Sequence, residues 1–267
     1  MKTNLVFVHG FLGSSLNWGS VIAQLRNLLS SDDFNFYAVD LLWHSKINSS
    51  YIPDDGKFIK ELSNNLKQKL ELLEGPLILV AHSFGLRPLL EWVGTSFEER
   101  ASVWIVEDSA PVLSDHGYQF LNEILFSTPV PFSNRKEAKE YFDSKYSDDK
   151  SLSQFLLTNI SDLAPGQWTW KFNIEALREL LQEARKTPRW DAWSQFKGRV
   201  FLLYGGRSNV LGSETLGQCL ESRKEAHLET VLFENSNHWL HFEDRDRFVF
   251  EVKRIIENEQ LLLNKRS

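Results

Sequence analysis

Leu77-Ile78-Leu79-Val80-Ala81-His82-Ser83-Phe84-Gly85 is an apolar run that ends in small-x-Ser-x-Gly and passes directly into the helical segment Leu86 to Val93. Consecutive apolar residues bounded by a turn suit a strand buried on both faces. A serine on a sharp strand-to-helix turn needs small neighbours, and the turn leaves its hydroxyl exposed at the helix N-terminus. Ala81 stands at the first small position, where glycine is usual. Such pentads arise often by chance, but the strand before this one and the helix after it make Ser83 the candidate nucleophile.

Working outward, the run Leu5 to Val8 leads into His9-Gly10-Phe11-Leu12-Gly13. Acyl transfer builds negative charge on a carbonyl oxygen, and fixed backbone N–H groups stabilise that charge by a few kcal/mol. The glycines let this loop approach the serine, so the expected oxyanion donors are the backbone N–H groups of Phe11 and Phe84. Downstream, Asn237-His238-Trp239 follows the last apolar run and precedes a helical stretch. Histidine titrates near neutrality, which makes His238 the candidate general base. The rival His241 falls where the next helix begins and reads as a surface or packing residue. His9 and His82 read as orienting or structural. His44 follows the second strand and borders the cleft, and His116 and His227 read as solvated.

The acid is less regular. After the run Val200 to Tyr204 comes Gly205-Gly206-Arg207-Ser208-Asn209-Val210, which holds no carboxylate, whereas Val106-Glu107-Asp108-Ser109-Ala110-Pro111 does. Asp108 is the preferred acid, because Glu107 alternates to the other side of an extended chain. Asp115 lies further on. Asn209 is the expected secondary hydrogen-bonding group. The chain order Ser83, Asp108, His238 is nucleophile, acid, base.

Six apolar runs, Leu5 to Val8, Phe34 to Val39, Leu77 to Ala81, Val103 to Val106, Val200 to Tyr204 and Leu228 to Phe233, alternate with segments of helical period. That pattern predicts an α/β protein whose mostly parallel six-stranded sheet is flanked by helices. Phe58, Ile59, Leu62, Leu66, Leu70 and Leu73 form one helix face that stops at Gly75-Pro76, and Val21 to Leu29 and Arg247 to Leu262 read as further helices. From 111 to 197 the alternation breaks, with helical segments, turns at Thr128-Pro129-Val130-Pro131 and Ala164-Pro165-Gly166, and an aromatic patch from Trp168 to Phe172. We read 111–197 as a helical cap inserted into a core made of 1–110 and 198–267.

Bulk composition narrows the function further. A net charge of −6 with dispersed Lys and Arg offers no basic stripe, which argues against nucleic acid as a partner. One cysteine permits no internal disulfide, no Cys/His spacing suggests zinc, and no apolar stretch is long enough to span a bilayer, so a cytoplasmic protein without a membrane partner is expected. Thirteen per cent aromatic residues, nine of them Trp, serve core packing first and an apolar cleft second.

With these pieces assembled, the chain resembles the α/β-hydrolase superfamily, in particular the small bacterial carboxylesterases of the YbfF type and their mitochondrial α/β-hydrolase relatives. The resemblance rests on His9-Gly10-Phe11-Leu12-Gly13-Ser14, Val39-Asp40 through His44, Ala81 to Gly85, Asp108-Ser109-Ala110-Pro111, Phe155-Leu156-Leu157-Thr158-Asn159, Trp170-Lys171-Phe172-Asn173-Ile174-Glu175-Ala176-Leu177, Phe201-Leu202-Leu203 with Gly205-Gly206, and His238-Trp239. That branch also carries its acid after the earlier strand, in agreement with Asp108. Two positions depart from it: Ser45 replaces a glycine after His44, and Leu86 replaces a second glycine after the elbow, both adding bulk beside the cleft. No N-terminal hairpin precedes the first strand, so Phe34 to Val39 is expected to be a bare sheet edge on which a homodimer could form.

The resemblance implies a serine esterase that needs no metal or cofactor, acting on small-molecule acyl esters or thioesters of short to medium chain, with Trp43, Trp168, Trp170 and Trp239 as candidate pocket walls. Cleavage of C–C, amide or lactone bonds by the same triad is one alternative. A non-catalytic small-ligand binding protein is another.

Overall fold

The computed structural model describes residues 1–45, 52–53, 56–162 and 164–264. Six strands, β1 (Thr3–Val8), β2 (Phe34–Val39), β3 (Leu77–His82), β4 (Val103–Glu107), β7 (Arg199–Gly205) and β8 (Leu228–Phe233), form one sheet of order β2-β1-β3-β4-β7-β8. Every pairing in it is parallel. The chain therefore adopts the α/β-hydrolase fold.

Strand ends fall within one or two residues of the apolar runs, because a strand buried on both faces is apolar along its whole length. Its alternation sorts residues between two cores. Val6, Val8, Leu79, Ala81, Trp104, Val106, Val200 and Leu202 pack on one face with α2 (Phe58–Glu71), α3 (Leu86–Leu90) and the later helix α8 (Ile174–Lys186). Leu5, Phe7, Ile78, Val80, Ile105, Phe201 and Leu203 pack on the other with α1 (Gly19–Leu28) and α12 (Arg245–Asn264). The short α4 (Phe97–Arg100), α10 (Ser213–Glu221) and α11 (Leu240–Glu243) complete the helices around the sheet. No helix among the described residues is long and apolar enough to cross a membrane.

Between β4 and β7 the chain runs through α5 (Asp115–Ser127), α6 (Arg135–Lys145), α7 (Lys150–Thr158), an antiparallel pair β5 (Ile160–Asp162) and β6 (Trp168–Trp170), then α8 and α9 (Trp190–Gln195). The aromatic patch read from sequence is thus partly a strand. Four of these helices start on side-chain caps: Ser114, Asn134, Asp149 and Asn173 accept from the backbone N–H of Gly117, Glu137, Leu152 and Ala176. Arg87, almost wholly buried on α3, ties this segment to the sheet by donating to the carbonyls of Pro111 at 2.9 Å, Ala184 at 3.3 Å and Thr187 at 2.5 Å. Asn173 N–H also donates to Trp43 O at 3.0 Å.

Leu86 departs from expectation. It is fully buried in the core beside α2 and does not line the cleft, so its bulk replaces a glycine against the sheet. Ser45 is half-buried and likewise lies away from the cavity walls.

Candidate active site

β3 ends at His82, and the next residue turns with φ 50° at Ser83 before the chain enters a 3-10 turn, Ser83–Gly85, and α3. A non-glycine residue at positive φ is strained, and the fold holds this one by close backbone approach. A Cβ built on Gly85 would stand 2.8 Å from both the Val8 and His9 carbonyl oxygens, and one on Gly10 would lie 3.1 Å from the Ser83 Cβ. The two glycines let the loop after β1 press against the serine turn. Ser109 Oγ donates to the Ser83 carbonyl at 2.7 Å, a brace that had no sequence signal because it depends on where the chain after β4 bends. Replacing Gly85 by Ala forces backbone apart, and we expect a loss of about 1–3 kcal/mol, read as a lower urea midpoint; an unchanged midpoint would show that the contact is soft.

Asp108 sits at the end of β4, wholly buried and at φ 45°. Its backbone N–H donates to Leu203 O at 2.7 Å. Its carboxylate accepts from Gly205 N–H at 3.0 Å on Oδ1, and on Oδ2 from Ser208 Oγ at 2.5 Å and His238 Nδ1 at 2.6 Å. The expected secondary residue was Asn209. The structure uses its neighbour Ser208, since the turn after β7 points the serine hydroxyl back at the carboxylate. With its Nδ1–H committed to Asp108, His238 leaves Nε2 free to accept a proton. Ser83 and His238 line one cavity, and among the described residues no hydrogen bond joins them. Such contacts are often long without substrate and tighten when it binds.

His9, His44 and His241 have structural partners. His9 Nδ1 donates to Gly10 O at 2.8 Å and its Nε2 accepts from Leu41 N–H at 3.0 Å, which pins the loop after β1. His44 Nδ1 donates to Leu42 O at 3.0 Å, and its ring lies 5.0 Å from that of His9. It is buried beneath the Phe11 edge rather than bordering the cleft. His241 is buried and bound to Glu107, so of its two readings packing holds and surface does not. His116, expected in solvent, lines the cavity from α5.

Burial pushes His9 down to about 4 and His44 to about 3, and holds His82 well below the ordinary histidine range. These rings are neutral in the folded protein near pH 7, while unfolded imidazoles protonate near 6.5. As pH falls from 6.5 towards 4 the unfolded state takes up protons that the native state refuses, so stability is lost on acidification. His9 alone corresponds to a loss on the order of 3 kcal/mol. Urea unfolding at pH steps from 7.5 to 4.5 should show the midpoint falling from about pH 6.5 downward; a flat midpoint to pH 5 would contradict these burials.

The cavity has a volume of about 390 Å³. Its apolar wall comes from Phe11 and Leu12, from Phe120, Leu121 and Ile124 of α5, from Leu152 and Phe155 of α7, and from Trp239, while Tyr146, Asp148, Arg207 and Asn209 are polar members of the lining. Of the four tryptophans expected there, only Trp239 lines it. Trp43 and Trp170 are buried in the core, and Trp168 faces its bridge partner Phe132 at the hairpin. Trp43 lies in the turn after β2 and the other two in β6, and only the fold decides where those side chains point.

Phe11 and Phe84, the expected backbone donors, sit side by side with ring centroids 5.1 Å apart. The Phe11 N–H has no acceptor among the described residues, and the Phe84 N–H lies in a first helical turn, where the helix supplies none.

Known proteins place this geometry in context. The chain is 24% identical over 257 residues to an sn-1-specific diacylglycerol lipase, ABHD11, of Danio rerio, covering 94% of this chain and 77% of that protein. Among solved structures, E-2-(acetamidomethylene)succinate hydrolase superposes with a TM-score of 0.78 at 17% identity, covering 96% of this chain and 91% of that one. A marine microorganism esterase gives 0.71 at 23% identity and 94% of each chain. Residues 5–252, nearly the whole length, match the sequence profile of the alpha/beta hydrolase family, and the chain belongs to that family.

Proposed function

We propose that this hydrolase is a serine carboxylesterase of the YbfF-type branch, cleaving short to medium acyl esters or thioesters through an acyl-enzyme. The observation that carries the reading is the buried Asp108–His238 bond at 2.6 Å beside a serine on a strained turn, both opening on one apolar cavity. Ser83 Oγ attacks the carbonyl carbon as His238 Nε2 takes its proton. The Phe11 and Phe84 N–H groups hold the oxyanion. Collapse expels the alcohol or thiol, which leaves with the proton from His238, and a water activated by the same imidazole then frees the acid.

A cavity of about 390 Å³ stands near the small end of ligand pockets, which favours short to medium chains. The segment 111–197 acts as the cap, since α5 and α7 supply most of the apolar wall. The one cysteine, Cys219, is buried and free, in keeping with a reducing, cytosolic compartment.

Hydrolysis of p-nitrophenyl esters from acetate to decanoate, run beside labelling by a fluorophosphonate, tests the proposal. Turnover with a chain-length optimum below decanoate supports it. Labelling at Ser83 without turnover of any ester shifts the reading to C–C, amide or lactone bonds, and absence of both leaves a binding protein.

A further inference from the structure

On the far side of His82 from the Gly10 loop lies a group of residues that the proposed hydrolysis does not use. His82 and Glu107 are register partners at the ends of adjacent strands β3 and β4, and His241 reaches them from α11. Glu107 is wholly buried and accepts from His241 three times, from the backbone N–H at 2.9 Å and from Nδ1 at 2.8 Å and 2.9 Å. The His82 and His241 rings meet edge to face at 5.1 Å. One donor atom from each of the three residues lies within 4.8 Å of the other two.

We propose that His82, Glu107 and His241 form a binding site for a divalent transition ion of the Zn2+ or Cu2+ class, and that an ion held there inhibits hydrolysis at Ser83. Two imidazoles and a carboxylate make a donor set that such ions prefer over Mg2+ or Ca2+. Zn–N and Zn–O bonds near 2.0–2.2 Å set tetrahedral donors roughly 3.4 Å apart, so donors lying within 4.8 Å of one another need close by no more than about 1.4 Å on binding. The carboxylate is fully desolvated and its ion-pair partner among the described residues is a histidine, not a Lys or Arg, so a cation answers a charge left under-compensated. Access is through the cavity, whose lining includes His82. Each imidazole needs only to move its proton to its other ring nitrogen.

Inhibition follows from what His82 does without the ion. Its Nδ1 is turned to the Gly10 loop, where an added Cβ would stand 2.8 Å away, while its Nε2 donates to the His238 carbonyl at 3.0 Å. We take Nε2 as the ligand atom. Coordination then removes the bond that positions the His238 backbone, and it draws away a ring packed 4.6 Å from that of His238.

The binding half of this proposal stands without turnover, and the inhibition half rests on the hydrolase reading, so the two are measured separately. Metal-stripped Ser83→Ala protein titrated with Zn2+ by calorimetry is expected to bind one equivalent, at least ten-fold more weakly when His241→Gln is added and unchanged when His238→Gln is added. In wild type, Zn2+ should slow p-nitrophenyl ester hydrolysis, EDTA should restore it, and His241→Gln should raise the inhibitory concentration at least ten-fold. If His241→Gln does not fold, Glu107→Gln takes its place; if neither folds, the Cu2+ electron paramagnetic resonance spectrum of Ser83→Ala/His238→Gln protein must show two imidazole nitrogens. No stoichiometric binding, binding abolished by His238→Gln but kept in His241→Gln, or a spectrum with fewer than two nitrogens would each overturn the site.

Discussion

Ser83→Ala is expected to lower kcat for p-nitrophenyl esters by about 10⁴-fold or more, abolish fluorophosphonate labelling and leave the melting temperature within a degree or two of wild type. The separation of activity from stability is the point of the experiment. Among the described residues the Ser83 hydroxyl has no hydrogen-bond partner, so its removal orphans no buried group. Alanine keeps the Cβ and so meets the same strain at φ 50° that serine does. What disappears is the attacking oxygen, and with it the acyl-enzyme. The Phe11 and Phe84 N–H groups remain, which is why activity should settle at a residual level rather than at zero. A variant that kept more than a tenth of wild-type kcat would place the nucleophile elsewhere. One that lost activity together with many degrees of stability would show that the hydroxyl holds the turn.

How far these features could be read before the fold was known depends on whether strand position alone determines them. The six strands of the sheet were legible because their apolar runs are continuous, and continuity does not require knowing which face is inside. Ser83, Asp108 and His238 were legible as candidates for a related reason. Ser83 and Asp108 follow their strands directly and His238 lies in the loop after β8, and parallel strands deliver their C-terminal ends to one edge of the sheet, so residues 25 and 155 positions beyond Ser83 converge without any local motif. The alternation that set Glu107 apart from Asp108 also sends Glu107 towards Trp18, His241 and Phe248 on the opposite core.

Orientation beyond a strand end was not legible. Trp43 sits at φ 66° after β2 and turns into the core, and Trp170 stacks on Phe172 inside the hairpin, so neither reaches the cavity that composition alone would let them line. Ser208 rather than Asn209 meets Asp108 because the β7 exit turns at Gly205-Gly206, where added Cβ atoms would collide with the backbone of Glu234, Ser236 and Asn237. The His82–Glu107–His241 group had no linear spacing to betray it. Two of its members are strand ends and the third is a helix start 134 residues after the second.

Asp108→Asn should reduce kcat by about 10³–10⁴-fold with little change in fold, and the reason lies in which oxygen each neighbour uses. Gly205 N–H donates to Oδ1, so the asparagine must keep its carbonyl oxygen there and place its NH2 where Oδ2 was. That NH2 then faces His238 Nδ1 and the Ser208 hydroxyl, both donors in the native site. Ser208 can rotate its hydrogen away and accept. His238 can accept only by moving its proton from Nδ1 to Nε2, and an imidazole with Nε2–H cannot take the proton from Ser83. The fold should tolerate the change, because asparagine is among the residues that adopt φ near 45° at least cost and its volume matches. Activity should therefore be lost through kcat while KM stays near wild type, and part of it should return as pH rises past about 9, where hydroxide takes the Ser83 proton in place of the imidazole. A Ser208→Ala control keeps the Asp108 carboxylate and the Nδ1–H tautomer and should lose far less, on the order of ten-fold. If Asp108→Asn instead retained most of its kcat, Glu107 and Asp115 would be the carboxylates to test next. Neither contacts His238 in this structure: Glu107 is held by His241, and Asp115 pairs with Arg185 at 2.8 Å.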